Sequence, residues 1–303
     1  MKDNLSKYGY VHVKNVLSKE EVIELRKLLD AKFNHKEKDA RAIHAEEVLK
    51  EELLYLLPFK NKVIKRLKQS LGDDLCYFTD YQLMRNIAGN WHIDAGSELY
   101  KPYIMADDYR FVKCGVYLQS SNEGWGGSIQ LASKGHKYYL KNLINIKLVK
   151  ILLKNFVNKL QVKFFSKVIN IEAGDMLFFD ARLPHKSQWP NKENLKSIKV
   201  NDNGTLTGIP PEHTKYAFYW NACNINNAED FLINSKERAI SIKTCSNNSK
   251  AFFVDYLKLH FPDDYPNSFV EHAKKNNVAI ASLSRAESKV FKGISDLIES
   301  GEI

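Results

Sequence analysis

Asn90-Trp91-His92-Ile93-Asp94 sets an imidazole and a carboxylate two residues apart. On an extended chain, side chains at i and i+2 point to one face, so His92 and Asp94 can offer two ligands to one divalent cation. A second histidine would complete the 2-His-1-carboxylate set that holds non-haem Fe(II) and leaves positions open for chemistry. The candidate lies far downstream, His185 in Leu183-Pro184-His185-Lys186-Ser187. The competing explanation of each histidine is a core side chain held by hydrogen bonds, and the tripeptide alone does not separate the two. His35-Lys36-Glu37 and His44-Ala45-Glu46 repeat the spacing. They lie in charged, helix-like sequence, where residues two apart diverge, and predict solvated surface. His92 and Asp94 instead follow a strand-like run, Tyr77 to Arg85, and precede Gly96.

Short strands must carry these ligands. Tyr8 to Val13 alternates as a strand, and Ser18 with Glu21 makes a capping box that opens a helix through Val22, Leu25, Leu28, Leu29 and Phe33. A second helical region covers roughly 45–71 and breaks near Pro58. Strands follow at Tyr77 to Arg85, at Phe111 to Gln119 with Val112, Cys114, Val116 and Leu118 on one face, and at Ile129 to Leu131 after the glycine-rich turn Gly124-Trp125-Gly126-Gly127. Val168 to Ile171 and Asp175 to Asp180, joined at Gly174-Asp175, lead into the His185 loop. Residues 191–214 are polar, with Asn203-Gly204 and Pro210-Pro211 as turns. Lys215 to Ala222 is the last strong strand. Residues 137–167 carry eight lysines and no acidic residue, with apolar residues on a second helical face: a basic amphipathic helix. That helix either packs on the core with a solvated lysine face or serves as a membrane-surface element.

The composition sets outer limits. With 303 residues and 44% hydrophobic content, the chain can build one large core with helical additions. The polar opening Met1-Lys2-Asp3-Asn4 predicts no secretory signal, and no apolar run reaches membrane-spanning length. Cys76, Cys114, Cys223 and Cys245 are scattered, which predicts buried thiols in a reducing cytoplasm. The net charge of +9 permits anionic partners, but no nucleic-acid-binding motif accompanies it, so none is expected as a ligand.

Strands with glycine turns, flanked by helices, predict a mainly β chain: a double-stranded β-helix (jelly roll, cupin-like) over residues 1–223, with N-terminal helices, the basic helical insertion at about 137–167, and a helical C-terminal extension over 224–303. The order of features resembles the phytanoyl-CoA dioxygenase family. The resemblance rests on His92-x-Asp94, then Gly126-Gly127-Ser128-Ile129-Gln130-Leu131 running into Lys134-Gly135-His136-Lys137, then Ala173-Gly174-Asp175-Met176-Leu177-Phe178-Phe179 running into His185-Lys186-Ser187. Tyr8-Gly9-Tyr10-Val11 followed by Leu17-Ser18-Lys19-Glu20-Glu21 adds to it, and the likeness spans roughly residues 7 to 222.

The resemblance implies an oxidoreductase that uses Fe(II) and 2-oxoglutarate to hydroxylate a C–H bond of a small molecule, with O2 consumed and succinate and CO2 released. His92, Asp94 and His185 would hold the metal. The family places a basic residue, usually arginine, where Lys215 stands, to pair with the far carboxylate of 2-oxoglutarate. Here it is lysine, a point charge rather than a fork, and its distance from His185 is long. Arg182, Lys196 and Lys199 are the alternatives. Ser187 resembles a position that adds a hydrogen bond to the same carboxylate, and Gln82 and Tyr117 are candidates for the same pocket. Trp91 could brace the site, and His136 is expected to serve the fold. In related halogenases a small residue replaces the carboxylate, so Asp94 points to hydroxylation or a related desaturation or epimerisation.

Two other classes compete with this expectation. A cupin-like metal enzyme without 2-oxoglutarate would keep the three ligands and need no basic anchor. A non-catalytic member would bind a ligand or a partner chain. Lysines in 137–167 and 191–214 suit an anionic substrate and a location in the cytoplasm, at most peripheral to a membrane.

Overall fold

The computed structural model describes residues 4–34, 42–94, 109–134, 162–201, 204–228 and 265–281. The chain divides into two compact units that interleave along the sequence. One comprises Met1–Ala42, Met84–Asp108 and Lys113–Phe218; the other comprises Ile43–Leu83, Tyr109–Val112 and Tyr219–Ile303.

The first unit opens with a short helix, α1 (Asn4–Tyr8), and a strand, β1 (Tyr10–Val13). Its main helix, α2 (Lys19–Asn34), starts where the capping box places it. The Ser18 N–H donates to a Glu21 carboxylate oxygen at 2.8 Å and the Glu21 N–H donates to Ser18 Oγ at 3.2 Å, so two helix-end donors are satisfied reciprocally. Val22, Leu25, Leu29 and Phe33 form its buried stripe. Phe33 stacks on Tyr216 at 5.6 Å, and Arg26 donates to the Leu118 and Thr214 carbonyls.

β1 pairs antiparallel with β7 (Met176–Asp180) in the register Tyr10↔Phe179 to Val13↔Met176. Within this unit the sheet continues through β4 (Phe111–Tyr117, from Lys113) to β11 (Tyr216–Asn224, to Phe218). All five residues of β7 are buried, as its unbroken apolar run requires. β4 departs from the one-sided pattern its alternation suggests: every residue but Lys113 is buried. Both faces are covered, and periodicity alone registers only the more apolar one. A second sheet sets β5 (Ile129–Ala132) between β6 (Ser166–Ile169) and β8 (His185–Ser187), both antiparallel to it. The polar stretch 191–214 contains a small antiparallel hairpin, β9 (Lys199–Val200) with β10 (Leu206–Thr207).

The Gly174-Asp175 turn staples β1 to β7. Gly174 sits at φ +91°, and a Cβ there would stand 2.8 Å from the Leu17 carbonyl oxygen. That same glycine's carbonyl accepts the Val16 and Leu17 N–H groups. Asp175 is fully buried. It accepts the Asn15 N–H on Oδ1 at 2.8 Å, and His12 Nε2 at 2.7 Å and the Glu172 N–H at 3.1 Å on Oδ2. His12, which the sequence leaves without a partner, is thus a structural histidine. Asp175→Ala would strand three donors, and we expect it to lower unfolding free energy by about 3 kcal/mol, measured by urea titration.

The second unit holds β2 (Ala42–His44, from Ile43), α3 (Ala45–Val48), α4 (Glu52–Tyr55), a 3₁₀ turn at Leu57–Phe59, and α5 (Asn61–Leu71). The break at Pro58 is therefore as expected. His44, read in helix-like sequence, instead ends a strand, and the helix begins at Ala45. Glu46 faces solvent with Lys50 at 3.1 Å. β3 (Leu75–Arg85, to Leu83) lies between the second half of β11 and β12 (Val278–Ala281). β12 follows α6 (Asn267–Lys275) and pairs parallel with β3, Val278↔Leu75 to Ala281↔Phe78. Asn267–Lys275 is a helix within the stretch 224–303 that the sequence predicts to be helical, but the tail also returns a strand to the sheet. An aromatic core of Tyr55, Phe59, Tyr77, Trp220 and Phe269 joins these elements, with Phe59 edge-on to Phe269 at 5.1 Å. Cys76, Cys114 and Cys223 are buried free thiols; Cys245 lies outside the described residues, as do His35 to Glu37, His136, His260 and most of the basic segment. Among the described residues no helix is long and apolar enough to cross a membrane.

Candidate metal centre

The segment Asn86 to His92 runs between two other stretches of the first unit. The Asn86 N–H donates to the Lys215 carbonyl at 2.9 Å and the Asn86 carbonyl accepts the Leu206 N–H at 2.9 Å. Ile87 bridges Thr205. On its other edge, Gly89 and His92 face β8. The Gly89 N–H donates to Ser187 Oγ, and the Ser187 N–H donates to the Gly89 carbonyl, both at 3.1 Å. His92 and His185 then exchange both backbone hydrogen bonds, each 2.9 Å. They form a directly opposed antiparallel pair, so their side chains leave on one face. The ring centroids lie 4.2 Å apart.

Asp94 closes the cluster. One carboxylate oxygen is 3.7 Å from His92 Nε2 and the other is 3.7 Å from His185 Nε2. The three ligand atoms lie within 4.8 Å of one another. The outward nitrogen of each ring has a fixed role. His92 Nδ1 lies 2.7 Å from the Asn90 carbonyl and His185 Nδ1 lies 3.0 Å from the Leu183 carbonyl. A carbonyl only accepts, so each Nδ1 donates to its carbonyl, and the Nε2 atoms of both rings turn toward the space they share with Asp94, where a neutral ring offers its lone pair. Metal-binding histidines are oriented in just this way by their outer partners.

His185 is buried and its ring packs on Phe179 at 4.5 Å. Burial above all pushes its pKa below the ordinary histidine value; Asp94 works against that shift, and His92 and Lys113 add to it. The neutral, ligating form therefore persists to lower pH than in a free histidine. The His92 side chain is half exposed, which leaves one flank open. Two imidazoles and one carboxylate suit Fe(II), so the donor set fits the metal that the sequence resemblance implies.

Comparison with known proteins gives structural matches only. No family model matches the chain, and no curated protein matches by sequence. Among solved structures, EctD from S. alaskensis in its apo form is similar over 74% of this chain and 76% of its own, with 16% identity and a TM-score of 0.51. HygX from Streptomyces hygroscopicus, solved with nickel and 2-oxoglutarate bound, covers 74% and 87%, with 14% identity and a TM-score of 0.50. The fold is a double-stranded β-helix.

On this β-helix the expected site residues separate. His92, Asp94 and His185 come together, and Ser187 joins them through Gly89. Ser187 Oγ accepts the Gly89 N–H, which leaves its own O–H proton to donate. Lys215 directly precedes β11 and is buried. Its N–H donates to Asn86 Oδ1 at 2.8 Å. Among the described residues no carboxylate pairs with its ammonium group, and burial draws its pKa down to about 8. Arg182 has both prongs on Asp180, with Nε–Oδ1 at 2.8 Å and Nη2–Oδ2 at 2.6 Å, and both residues are buried. Lys196 and Lys199 are exposed. Tyr117 is buried at the end of β4, where its backbone bonds Asp175 and Gly174. Gln82 is half buried on the part of β3 that belongs to the second unit. Trp91 alternates with His92 along the chain and takes the Lys186 ammonium over its ring at 5.5 Å. His213 stacks on Trp125 at 5.0 Å.

Sequence reasoning missed three supports. Gly89 lies directly against the ligand: a Cβ there would stand 3.4 Å from His92 Cε1, in ordinary contact. Phe179 backs His185. Gly126, at φ +75°, would place a Cβ 2.3 Å from the Gln188 carbonyl oxygen, so the glycine-rich turn lies flat against the chain just after Ser187. The glycines were visible as a turn, but nothing local says what a turn packs against.

Proposed function

We propose that the chain is a non-haem Fe(II)- and 2-oxoglutarate-dependent oxygenase of the phytanoyl-CoA dioxygenase type, hydroxylating an unactivated C–H of a small molecule. The observation that carries the proposal is the pair of opposed histidines whose Nδ1 protons are spent on backbone carbonyls, so that both Nε2 atoms and the Asp94 carboxylate face one shared space. HygX was solved with nickel and 2-oxoglutarate, and EctD with 2-oxoglutarate and 5-hydroxyectoine at a TM-score of 0.50; both support the reading on this fold.

When bound, the metal and 2-oxoglutarate supply the oxidation, in which O2 and 2-oxoglutarate give succinate and CO2 and one oxygen atom enters the substrate. The protein's part is placement. His92, Asp94 and His185 would hold the metal and leave the rest of its coordination sphere to 2-oxoglutarate and O2. Lys215, a buried ammonium with no carboxylate partner among the described residues, takes the far carboxylate of 2-oxoglutarate, and the Ser187 hydroxyl donates to the same group. Arg182 is excluded from that task by its bidentate pairing with Asp180. Asp94 occupies the position that halogenases leave open, which favours hydroxylation.

Anaerobic titration of the protein with Fe(II) and then 2-oxoglutarate tests this. A weak visible charge-transfer band on addition of 2-oxoglutarate is the expected result. Iron binding without the band would remove 2-oxoglutarate and leave a cupin-like metal enzyme. Absence of iron binding would sink the proposal as a whole.

A further inference from the structure

Ser133 and Lys134 tie three separate stretches of the first unit together. The Lys134 N–H donates to the Tyr8 carbonyl at 2.8 Å, and Ser133 Oγ donates to the same carbonyl at 3.4 Å. The Ser133 N–H donates to the Phe165 carbonyl at 2.9 Å, and β5 continues the contact through Leu131↔Lys167 and Gln130↔Val168. The end of α1, the exit of β5 and the entrance of β6 therefore meet at one surface.

That surface is cationic and partly apolar. Lys7, Lys163 and Lys167 are exposed, and Lys134 is half exposed. No acidic residue occurs in 4–13 or in 133–171. Lys7, foremost, and then Lys134 and Lys167 hold the Tyr8 hydroxyl below its ordinary range, which reflects their convergence on one ring. Lys7 stands over Tyr8 at 4.8 Å and Lys163 over Phe164 at 5.7 Å. Phe164 is 67% exposed and Val168 42%; among the described residues Phe164 is the one exposed Phe, Tyr or Trp. A solvated lysine face accounts for the charges. It does not account for a phenyl ring and a valine held out in water among them.

We infer that this face docks on an anionic phospholipid surface, with Lys7, Lys134, Lys163 and Lys167 on the headgroups and Phe164 entering the interface. Both halves of the recognition are present: basic side chains gain from the negative surface potential, and an exposed ring gains from the headgroup boundary. None of these side chains is one of the three proposed metal ligands.

Sedimentation of the full chain with phosphatidylcholine vesicles, with and without phosphatidylserine, tests it. Binding should require phosphatidylserine and weaken as salt is raised. The combined variant Lys7→Glu, Lys163→Glu, Lys167→Glu should lose roughly a hundredfold or more in vesicle affinity, and Phe164→Ser alone should weaken it less. All four side chains are exposed, so unchanged thermal melting keeps the comparison valid, and His185→Ala should bind vesicles like the parent. Equal binding to neutral vesicles, or full binding by the triple variant, overturns the inference. Capture of a DNA duplex with no binding to phosphatidylserine vesicles overturns it too and assigns the face to nucleic acid.

Discussion

His185→Ala is expected to abolish tight metal binding and all metal-dependent turnover. Loss of an outer hydrogen-bond partner already costs a metal site about 10–100-fold in affinity, and removal of a ligand should cost more than that. His92 and Asp94 would remain, with His92 half exposed, and two ligands on an open flank hold a divalent ion poorly. The fold should survive. The His92–His185 pair is made by backbone groups, which alanine keeps. What is lost is a buried ring on Phe179, a deletion worth about 1–3 kcal/mol. His92→Ala provides the control: the same loss of metal, with little change in stability because that ring faces solvent. Equilibrium dialysis with Fe(II) under anaerobic conditions, beside thermal melts, reads both quantities. Undiminished metal affinity in His185→Ala would place the site elsewhere.

Lys215→Met should move function and stability in opposite directions. The ammonium is buried beside no carboxylate among the described residues, and its pKa falls to about 8 from 10.5. That difference corresponds to roughly 3 kcal/mol of unfavourable burial. Below about pH 8 folded and unfolded chains both hold the proton and the full cost is felt. Between about 8 and 10.5 the unfolded chain holds it and the folded chain increasingly does not, so unfolding releases none and takes one up. Stability therefore rises with pH across that window. Methionine removes the cost, so the variant should gain about 1–3 kcal/mol near neutral pH and lose the rise. Its affinity for 2-oxoglutarate should fall about 10–100-fold, since a charge-assisted hydrogen bond is worth about 1.5–3 kcal/mol. Parent affinity for 2-oxoglutarate should also decline above about pH 8, and Lys215→Arg should remove that decline. Urea titrations across pH and the charge-transfer band measure the two effects. A Met variant that is less stable and binds 2-oxoglutarate normally would show Lys215 to be structural.

Much of this molecule is legible before folding because its signals are local. The Ser18–Glu21 box lies within four residues, so it fixed the start of α2. Pro58 broke the helical region where its ring must. The run Asp175 to Asp180 announced a strand, and His92-x-Asp94 announced two ligands on one face. What distance along the chain conceals is which stretches meet. No local pattern says that β8 lies opposite His92, that the Asn90 and Leu183 carbonyls choose the tautomer of each ring, or that Val278–Ala281 returns to pair parallel with β3. Arg182, Lys196 and Lys199 stood as alternatives to Lys215 for holding a carboxylate. Only packing separated them, because burial and pairing belong to the tertiary environment: Arg182 is spent on Asp180, Lys196 and Lys199 face water, and Lys215 alone of the four is buried without a counter-charge among the described residues. Sequence supplied the ligand types, and the pairing of distant strands turned them into a site.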